Sequence, residues 1–363
     1  MTLYKLEPSE YSHALTALQG VEHALAVNAV IEHKAPGWIA VDQHETPQIV
    51  LASAPGAHYL IGDYQNPAFN QALVQLIVGE ILPHAKEDGW AVFNLHYFPN
   101  GWETVLDDIF ADMVVAKNYQ RLFRFRQRQI DWQTLIPPGF TMRKIEPSLL
   151  SETHIKNIES LRERCEDYRD SWEIFFEDGS FGYCLIHDEN IAGWCVSDYV
   201  IENHCELSLH TDEKYRRKGV ATLTAAAAVD YCLANGLTDI VWNCWSHNIA
   251  SAAAARKVGF EEILQHHAIH LWLNPVDGFL VNGNLALMRG DHREAAEFYE
   301  KAFALLAEPG TQDKQYSLLD WKDTETTYRY HAACAWALAG DRNAALRNLE
   351  KAWEKNSIRQ GGY

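Results

Sequence analysis

The stretch that decides the fold is ELSLHTDEKYRRKGVATLTAAAAVDYCLANG, residues 206–236. We interpret it as a strand (206–211), a short turn, and a helix over residues 216–235 whose first turn is RRKGVA. The alanines at 221 and 225–228 give the helix a slim surface, so it can pack closely on a sheet. A strand, a basic turn and a slim helix in this order predict a mixed α/β architecture.

The basic turn has the chemistry of an anion site. The first turn of a helix leaves backbone N–H groups unpaired, and the helix dipole adds partial positive charge there. Gly219 lets an anion approach the backbone without a Cβ in the way, and Arg216, Arg217 and Lys218 add full charges. The turn therefore predicts a diphosphate site, the alternative being a basic turn on an ordinary surface helix.

A second stretch, DIVWNCWSHNIASAAAARKVGFEE (239–262), predicts a strand over 239–245 and a helix over 249–258. Asn248 stands at the helix start, and Gly259 with Phe260 follows its end. Arg-x-x-Gly-x-Ala followed by strand, Asn, helix and Gly-Phe resembles the GCN5-related N-acetyltransferases (GNAT), over roughly residues 139–273. The resemblance implies acetyl-CoA as co-substrate and acetyl transfer to a primary amine.

The resemblance also implies roles for individual residues. The backbone of 209–211 would bind the pantetheine arm as an added strand, the N–H groups of 217–222 would hold the pyrophosphate, and Asn248 would orient the pantetheine. The coenzyme-binding residues it implies are Leu209, His210, Thr211, Arg216, Arg217, Lys218, Gly219, Val220, Ala221, Thr222 and Asn248.

Catalytic groups are less determined. We predict Glu206 as the general base, with Asp198, Glu202, His204 and His210 as alternatives. The competing interpretation, which is the more common one for any single ionisable residue, is a surface or hydrogen-bonding role. Many family members carry a Tyr as general acid seven residues after the Asn, where this chain has Ala255. That departure puts proton donation to the leaving thiolate in doubt more than activity itself.

Three segments organise the chain. Strands and helices alternate in 1–136 and, in a loosely similar order, in 137–275, which predicts tandem GNAT-like domains. The first is degenerate because it has no basic turn before its long helix (67–85). Residues 276–363 are predicted helical, and the matching stretches at 290–305 and 340–355 resemble tetratricopeptide repeats, with 309–325 as an insertion. This layout resembles acetyltransferases of antibiotic self-resistance, such as those acting on zwittermicin A.

Composition limits the partners. The 31 basic and 49 acidic residues give a formal charge of −18, which argues against a surface built for nucleic acid or anionic lipid. The arginines of RLFRFRQRQ (121–129) fit an alternating strand better than an RNA site. No stretch reads as a signal peptide or membrane span, and the seven cysteines lack a CxxC, so we expect reduced thiols and a cytoplasmic location.

Metal binding is not expected. His266, His267 and His270 lie in a predicted strand without an Asp, Glu or Cys at ligand spacing.

The resemblance as a whole predicts an N-acetyltransferase that acts on a primary amine of a small cationic or amino-polyol molecule. Antibiotic resistance is one role that such an enzyme could serve. The alternatives are a protein N-acetyltransferase that docks its substrate through the C-terminal helices, and a non-catalytic acetyl-CoA-binding scaffold.

Overall fold

Twelve strands form one mixed sheet in the computed structural model, which describes residues 3–21, 23–167, 169–308 and 321–360. The strands are β1 (Tyr4–Lys5), β2 (Trp38–Val41), β3 (Ile49–Ala54), β4 (Ala57–Gly62), β5 (Val92–Phe98), β6 (Val115–Phe125), β7 (Phe140–Lys144), β8 (Gly182–His187), β9 (Asn190–Ile201), β10 (His204–Thr211), β11 (Asp239–Trp245) and β12 (Phe260–Trp272). The predicted mixed α/β fold is confirmed.

Helices cover the sheet and form the C-terminal part. They are α1 (Leu25–Ile31), α2 (Pro67–Leu76), α3 (Leu82–Glu87), α4 (Trp102–Ile109), α5 (Pro147–Leu150), α6 (Ile158–Glu166), α7 (Trp172–Glu177), α8 (Val220–Ala234), α9 (Ile249–Val258), α10 (Pro275–Arg289), α11 (His292–Leu306), α12 (Trp321–Leu338) and α13 (Arg342–Gln360). A π-helical turn (Ile77–Ile81) joins α2 to α3, and 3₁₀ turns occupy Pro8–Thr16, Trp132–Leu135 and Glu213–Tyr215.

The sheet has two parts, β1–β5 and β7–β11, and both repeat one pattern. In each, antiparallel strands lead to a parallel pair, β4 with β5 and β10 with β11, with a helical crossover between its two strands. The parts also exchange strands, because β6 lies between β11 and β12 while β12 lies between β5 and β6. The segments 1–136 and 137–275 therefore share a continuous sheet.

Helix α8 packs as its composition predicts. Its alanines at 225–228 are buried, and the helix lies against β8, β9 and β10. The expected start is wrong, however. The helix begins at Val220, because Arg217 (φ 63°) and Gly219 (φ 81°) both take the left-handed conformation, which interrupts helical geometry.

The C-terminal helices pack as two pairs, α10 with α11 and α12 with α13, and α11 also contacts α12. Gly290 and Gly340 end the first helix of each pair in the left-handed conformation, as helix C-caps commonly do. A Cβ on Gly283 would lie 2.5 Å from the Tyr299 ring, so this glycine allows the close approach of α10 and α11. The predicted insertion (309–325) falls mostly outside the described residues.

Candidate active site

Strands β10 and β11 diverge after a short paired stretch. They pair only from His204 to Glu206, opposite Asp239 to Val241, and the pairing of β10 with β9 shifts register directly after Glu206. Beyond Glu206, β10 keeps β9 as its partner and leaves β11. The backbone of 209–211 thus has an edge toward the gap that an extended ligand could pair with.

The turn before α8 and the first residues of the helix (216–222), which we call the cradle, form an open site at the helix N-terminus. Gly219 is the N-cap residue and provides no side-chain cap, so the first N–H groups of α8 keep their donor capacity. A Cβ on Gly219 would meet nothing within 4 Å, which shows that the approach to these donors is clear. Val220 is buried beneath the cradle, while Ala221 and Thr222 are half-buried. The residues present therefore fit a diphosphate.

The positive charges around the cradle differ from the prediction. Lys218, Gly219 and Thr222 line a groove of about 490 Å³ together with Arg256 and Lys257 from the last turn of α9. Arg216 instead forms an exposed ion pair with Glu213 (3.0 Å). Sequence reasoning did not assign Arg256 or Lys257 to the coenzyme, although their place just before Gly259 was a usable signal.

A cavity of about 210 Å³ lies where the two parts of the sheet meet. It is lined from both segments of the chain, by His23, Tyr59, His96 and Phe98 and by Arg164, Asp167, Asp198, Tyr199, Glu206, Asn243 and His266, among others. An engineered cavity of about 150 Å³ holds benzene, so this space suits a small molecule or the end of one.

Glu206 is half-buried at the point of strand divergence and lines this cavity. Its Oε1 accepts a hydrogen bond from Asn243 Nδ2 at 2.8 Å. Burial raises the pKa of Glu206, while the Asn243 hydrogen bond and the charge of Arg164 act in the opposite direction. A carboxylate with a raised pKa is a better proton acceptor at neutral pH.

The other candidate bases are separated by the structure. Asp198 lines the same cavity and is ion-paired with Arg164. Glu202 is exposed in the turn between β9 and β10, and His204 bonds Asp239 through Nδ1 (2.9 Å). His210 is exposed, with its ring 5.6 Å from the Trp194 ring. None of these last three lines the cavity.

Two motif residues of α9 have structural roles. Asn248 is exposed and caps the helix, its Oδ1 accepting a hydrogen bond from the Ser251 N–H at 3.1 Å. Ala255 is fully buried in a cluster with Phe123 and Phe260. A proton donor at position 255 would therefore lie in the hydrophobic core.

The three histidines of β12 lie on two faces of the strand, His266 and His270 on one and His267 on the other. His266 Nε2 lies 3.2 Å from His96 Nδ1, and His270 Nδ1 lies 2.7 Å from Asn94 Oδ1, whereas His267 contacts Glu103 (3.3 Å) on the other face. Burial lowers the pKa of His266 to about 3 and that of His270 to about 4. Within the described ranges, no cluster of three or more His, Cys, Asp or Glu side chains is arranged to hold a metal ion.

Three of the four arginines of 121–129 pair with carboxylates. Arg124 contacts Asp239 (2.9 Å), Arg126 contacts Glu261 (3.3 Å) and Arg128 contacts Asp230 (2.7 Å). The seven cysteines are free thiols. Across the part of the chain with described coordinates, no helix combines the length and apolar character that crossing a membrane requires.

The divergent parallel strands, the open N-terminus of α8 and the carboxylate of Glu206 beside them make up the candidate active site. A sequence profile described as GNAT acetyltransferase matches residues 15–269, well over half of the chain. The chain belongs to the GNAT acetyltransferase family and is an acyltransferase. GNAT acetyltransferases use acetyl-CoA as their co-substrate.

Individual relatives agree with this assignment. The uncharacterized N-acetyltransferase YdfB of Bacillus subtilis (strain 168) is 23% identical over 265 residues, which cover 73% of this chain and 97% of YdfB. A GCN5-related N-acetyltransferase-like protein from Streptococcus suis 89/1591 shares the fold (TM-score 0.53, 19% identity, 73% of this chain and 98% of that one). A tandem GNAT protein from the clavulanic acid biosynthesis pathway also does (TM-score 0.50, 11% identity, 75% and 98%).

Proposed function

We propose that this protein transfers the acetyl group of acetyl-CoA to a primary amine of a small cationic or amino-polyol molecule. The observation that carries the proposal is the position of Glu206, where β10 leaves β11 and where the cavity between the two parts begins. An extended thioester arm in the gap between the strands would bring its carbonyl beside this carboxylate and the cavity.

The residues of the cradle would hold the coenzyme. The open N–H groups at 219–222 and the charges of Lys218, Arg256 and Lys257 would bind its phosphates. The backbone of 209–211 would bind the pantetheine arm. Arg216, Arg217, His210 and Asn248 stay predictions from the motif.

The neutral amine would attack the acetyl carbonyl and form the new C–N bond, and Glu206 would accept the proton that the nitrogen loses as this bond forms. A backbone N–H within 209–211 would stabilise the oxyanion, after which the C–S bond breaks and the thiolate departs. Ala255 supplies no proton to it, but the thiolate of coenzyme A is a stable leaving group. Asn243 would hold the Glu206 carboxylate in position through its 2.8 Å hydrogen bond.

The charge of the cavity supports an amine acceptor. Three carboxylates, Asp167, Asp198 and Glu206, line it together with a single arginine, Arg164, in the described lining. An alkylammonium ion is attracted to such a surplus of negative charge. The volume of about 210 Å³ favours a small acceptor over a folded protein surface.

Several wider proposals accompany this one. The first segment (1–136) would be a degenerate GNAT-like domain, 137–275 the competent domain, and 276–363 a tetratricopeptide-like domain. Cytoplasmic location and a role in antibiotic resistance are parts of the same proposal. The alternative of a protein substrate gains support from exposed apolar side chains on the tail, such as Leu338 and Trp353.

The test is acetyl-CoA-dependent thiol release with a panel of small amines, together with calorimetric measurement of acetyl-CoA affinity. Gly219→Glu should weaken acetyl-CoA binding by about tenfold or more, because it sets a carboxylate among the phosphate-binding donors. Gly236→Glu is the matched control, since Gly236 follows the other end of α8, is also left-handed (φ 80°) and is open within 4 Å. Equal affinity in both variants would contradict the cradle assignment.

A further inference from the structure

The cavity beside Glu206 has a second polar feature, a buried pair of imidazoles. His96 and His266 come from β5 and β12, which are neighbours in the sheet, and each is only 4% exposed. His96 Nδ1 and His266 Nε2 are 3.2 Å apart, so one ring donates a hydrogen bond to the other. Both rings line the cavity, and the proton chemistry described above uses neither.

The imidazole pair shares the cavity with Tyr59 and Glu206. The Tyr59 ring stacks on the His96 ring, with centroids 5.0 Å apart and an angle of 19°. Burial, followed by the charge of Glu206, raises the pKa of Tyr59. Glu206, Tyr59, His96 and His266 all line the cavity, which therefore offers a carboxylate and a pair of imidazoles to one ligand.

His266 has one nitrogen left to offer a ligand. Its Nδ1 is buried and has no hydrogen-bond partner among the residues that the structure describes. A buried polar atom without a partner costs about 1–3 kcal/mol, which a ligand group bonded to it would recover. The rings of Phe98 (4.8 Å between centroids) and His23 (6.5 Å) lie near the His266 ring and line the same cavity.

The two imidazoles are uncharged at neutral pH. Burial lowers the pKa of His266 to about 3, and burial together with the neighbouring His266 and His270 lowers that of His96 well below its usual value. A neutral imidazole donates from one nitrogen and accepts at the other. Nδ1 of His266 donates in one tautomer of the pair and accepts in the other. A hydroxyl group matches both tautomers because it can donate or accept, whereas an ammonium can only donate and a carboxylate can only accept.

We propose that His266, positioned by His96, is a specificity-determining residue that binds an uncharged hydroxyl group of the acceptor amine. This inference rests on the proposed function, since the amine end of the acceptor must lie at Glu206. The acceptor would then be an amine with a hydroxyl at the end away from Glu206. Amines with a second charge at that end would be poorer substrates. Glu206 and His266 would bind the two ends of the acceptor within one cavity.

The experiment compares kcat/KM, by thiol release, for 5-amino-1-pentanol, pentylamine and 1,5-diaminopentane. Because the three share a five-carbon chain and differ only at its far end, the wild type should prefer the amino alcohol over each of the others by roughly tenfold to a hundredfold. His266→Phe should remove this preference while retaining turnover of pentylamine, and His266→Asn should keep part of it. His267→Phe is the control, because His267 lies on the other face of β12 and outside the cavity lining.

The outcomes separate the two proposals. Turnover of all three amines at equal kcat/KM in the wild type would overturn the inference and leave the acetyl transfer intact. A preference that survives in a folded His266→Phe variant, checked by its thermal midpoint, would also overturn it. Absence of thiol release with every amine would overturn both proposals. The wild-type ratio decides the matter even if His266→Phe does not fold.

Discussion

Lowering the pH from 8 to 5 should destabilise the fold strongly, because buried histidines must stay neutral in it. Burial lowers the pKa of His58 and His270 to about 4 and that of His266 to about 3, against 6.5 for an ordinary histidine. At pH 5 these side chains are largely protonated in the unfolded chain and largely neutral in the folded one. Protons therefore favour unfolding in this window.

The size of the effect follows from the pKa differences. Each of the three histidines should lose about 2 kcal/mol of stabilisation between pH 8 and pH 5, through linkage between protonation and unfolding. Since domains of this kind are stable by roughly 5–15 kcal/mol, the combined loss is a large fraction of the total. The net negative charge of the chain falls over the same range, which by itself would stabilise the fold.

Urea unfolding at a series of pH values measures this loss directly. His58→Phe should reduce the pH-dependent part of the free energy of unfolding by about 2 kcal/mol, because it removes one buried titrating ring. His84→Gln is the control, since His84 is exposed. A free energy of unfolding that is constant from pH 8 to pH 5, or equal pH dependence in all three proteins, would refute the reasoning.

Further variants test separate parts of the structure. Gly283→Ala should lower the free energy of unfolding by about 1–3 kcal/mol in urea titrations, because its Cβ would lie 2.5 Å from Tyr299; an unchanged midpoint would contradict this packing. Ala255→Tyr should likewise lower the thermal midpoint and leave thiol release no faster, because position 255 is fully buried; a faster rate would show that a proton donor fits there. Arg164→Met should move the acid limb of the kcat/KM profile to higher pH, because the charge of Arg164 lowers the pKa of Glu206; an unmoved limb would exclude Glu206 as the titrating base.

Local signals in the sequence predicted local structure well. Strand β11 and helix α9 have the predicted bounds, because Asn248 caps the helix start and Gly259 takes a left-handed conformation (φ 115°) at its end. Elsewhere local reasoning failed. The sequence favours a helical stretch over 9–32 and a helix over 149–165, whereas the structure has a 3₁₀ turn followed by α1 in the first stretch and the two helices α5 and α6 in the second. In both stretches the helix-like spacing of apolar residues continues through a segment where the backbone leaves the helical conformation, between Thr16 and Leu25 and between Leu150 and Ile158.

The candidate site was predicted only on one side. The basic turn and Glu206 stand in a motif of consecutive residues, so the sequence could point to them. The opposite wall, with His23, Tyr59 and His96, depends on the exchange of β6 and β12 between the two parts of the sheet. Pairing between strands so far apart in the chain has no local signature, and a lone buried histidine looks like any other core residue.

The most direct test of the account is acetyl transfer by Glu206→Gln, which removes the proton acceptor at the point where β10 leaves β11. We expect kcat/KM for a small amine to fall by about 10²–10⁴ while calorimetry shows unchanged acetyl-CoA affinity. Glu202→Gln, in the exposed turn before the same strand, should keep wild-type activity. A Glu206→Gln variant that acetylates the amine at close to the wild-type rate would contradict the account.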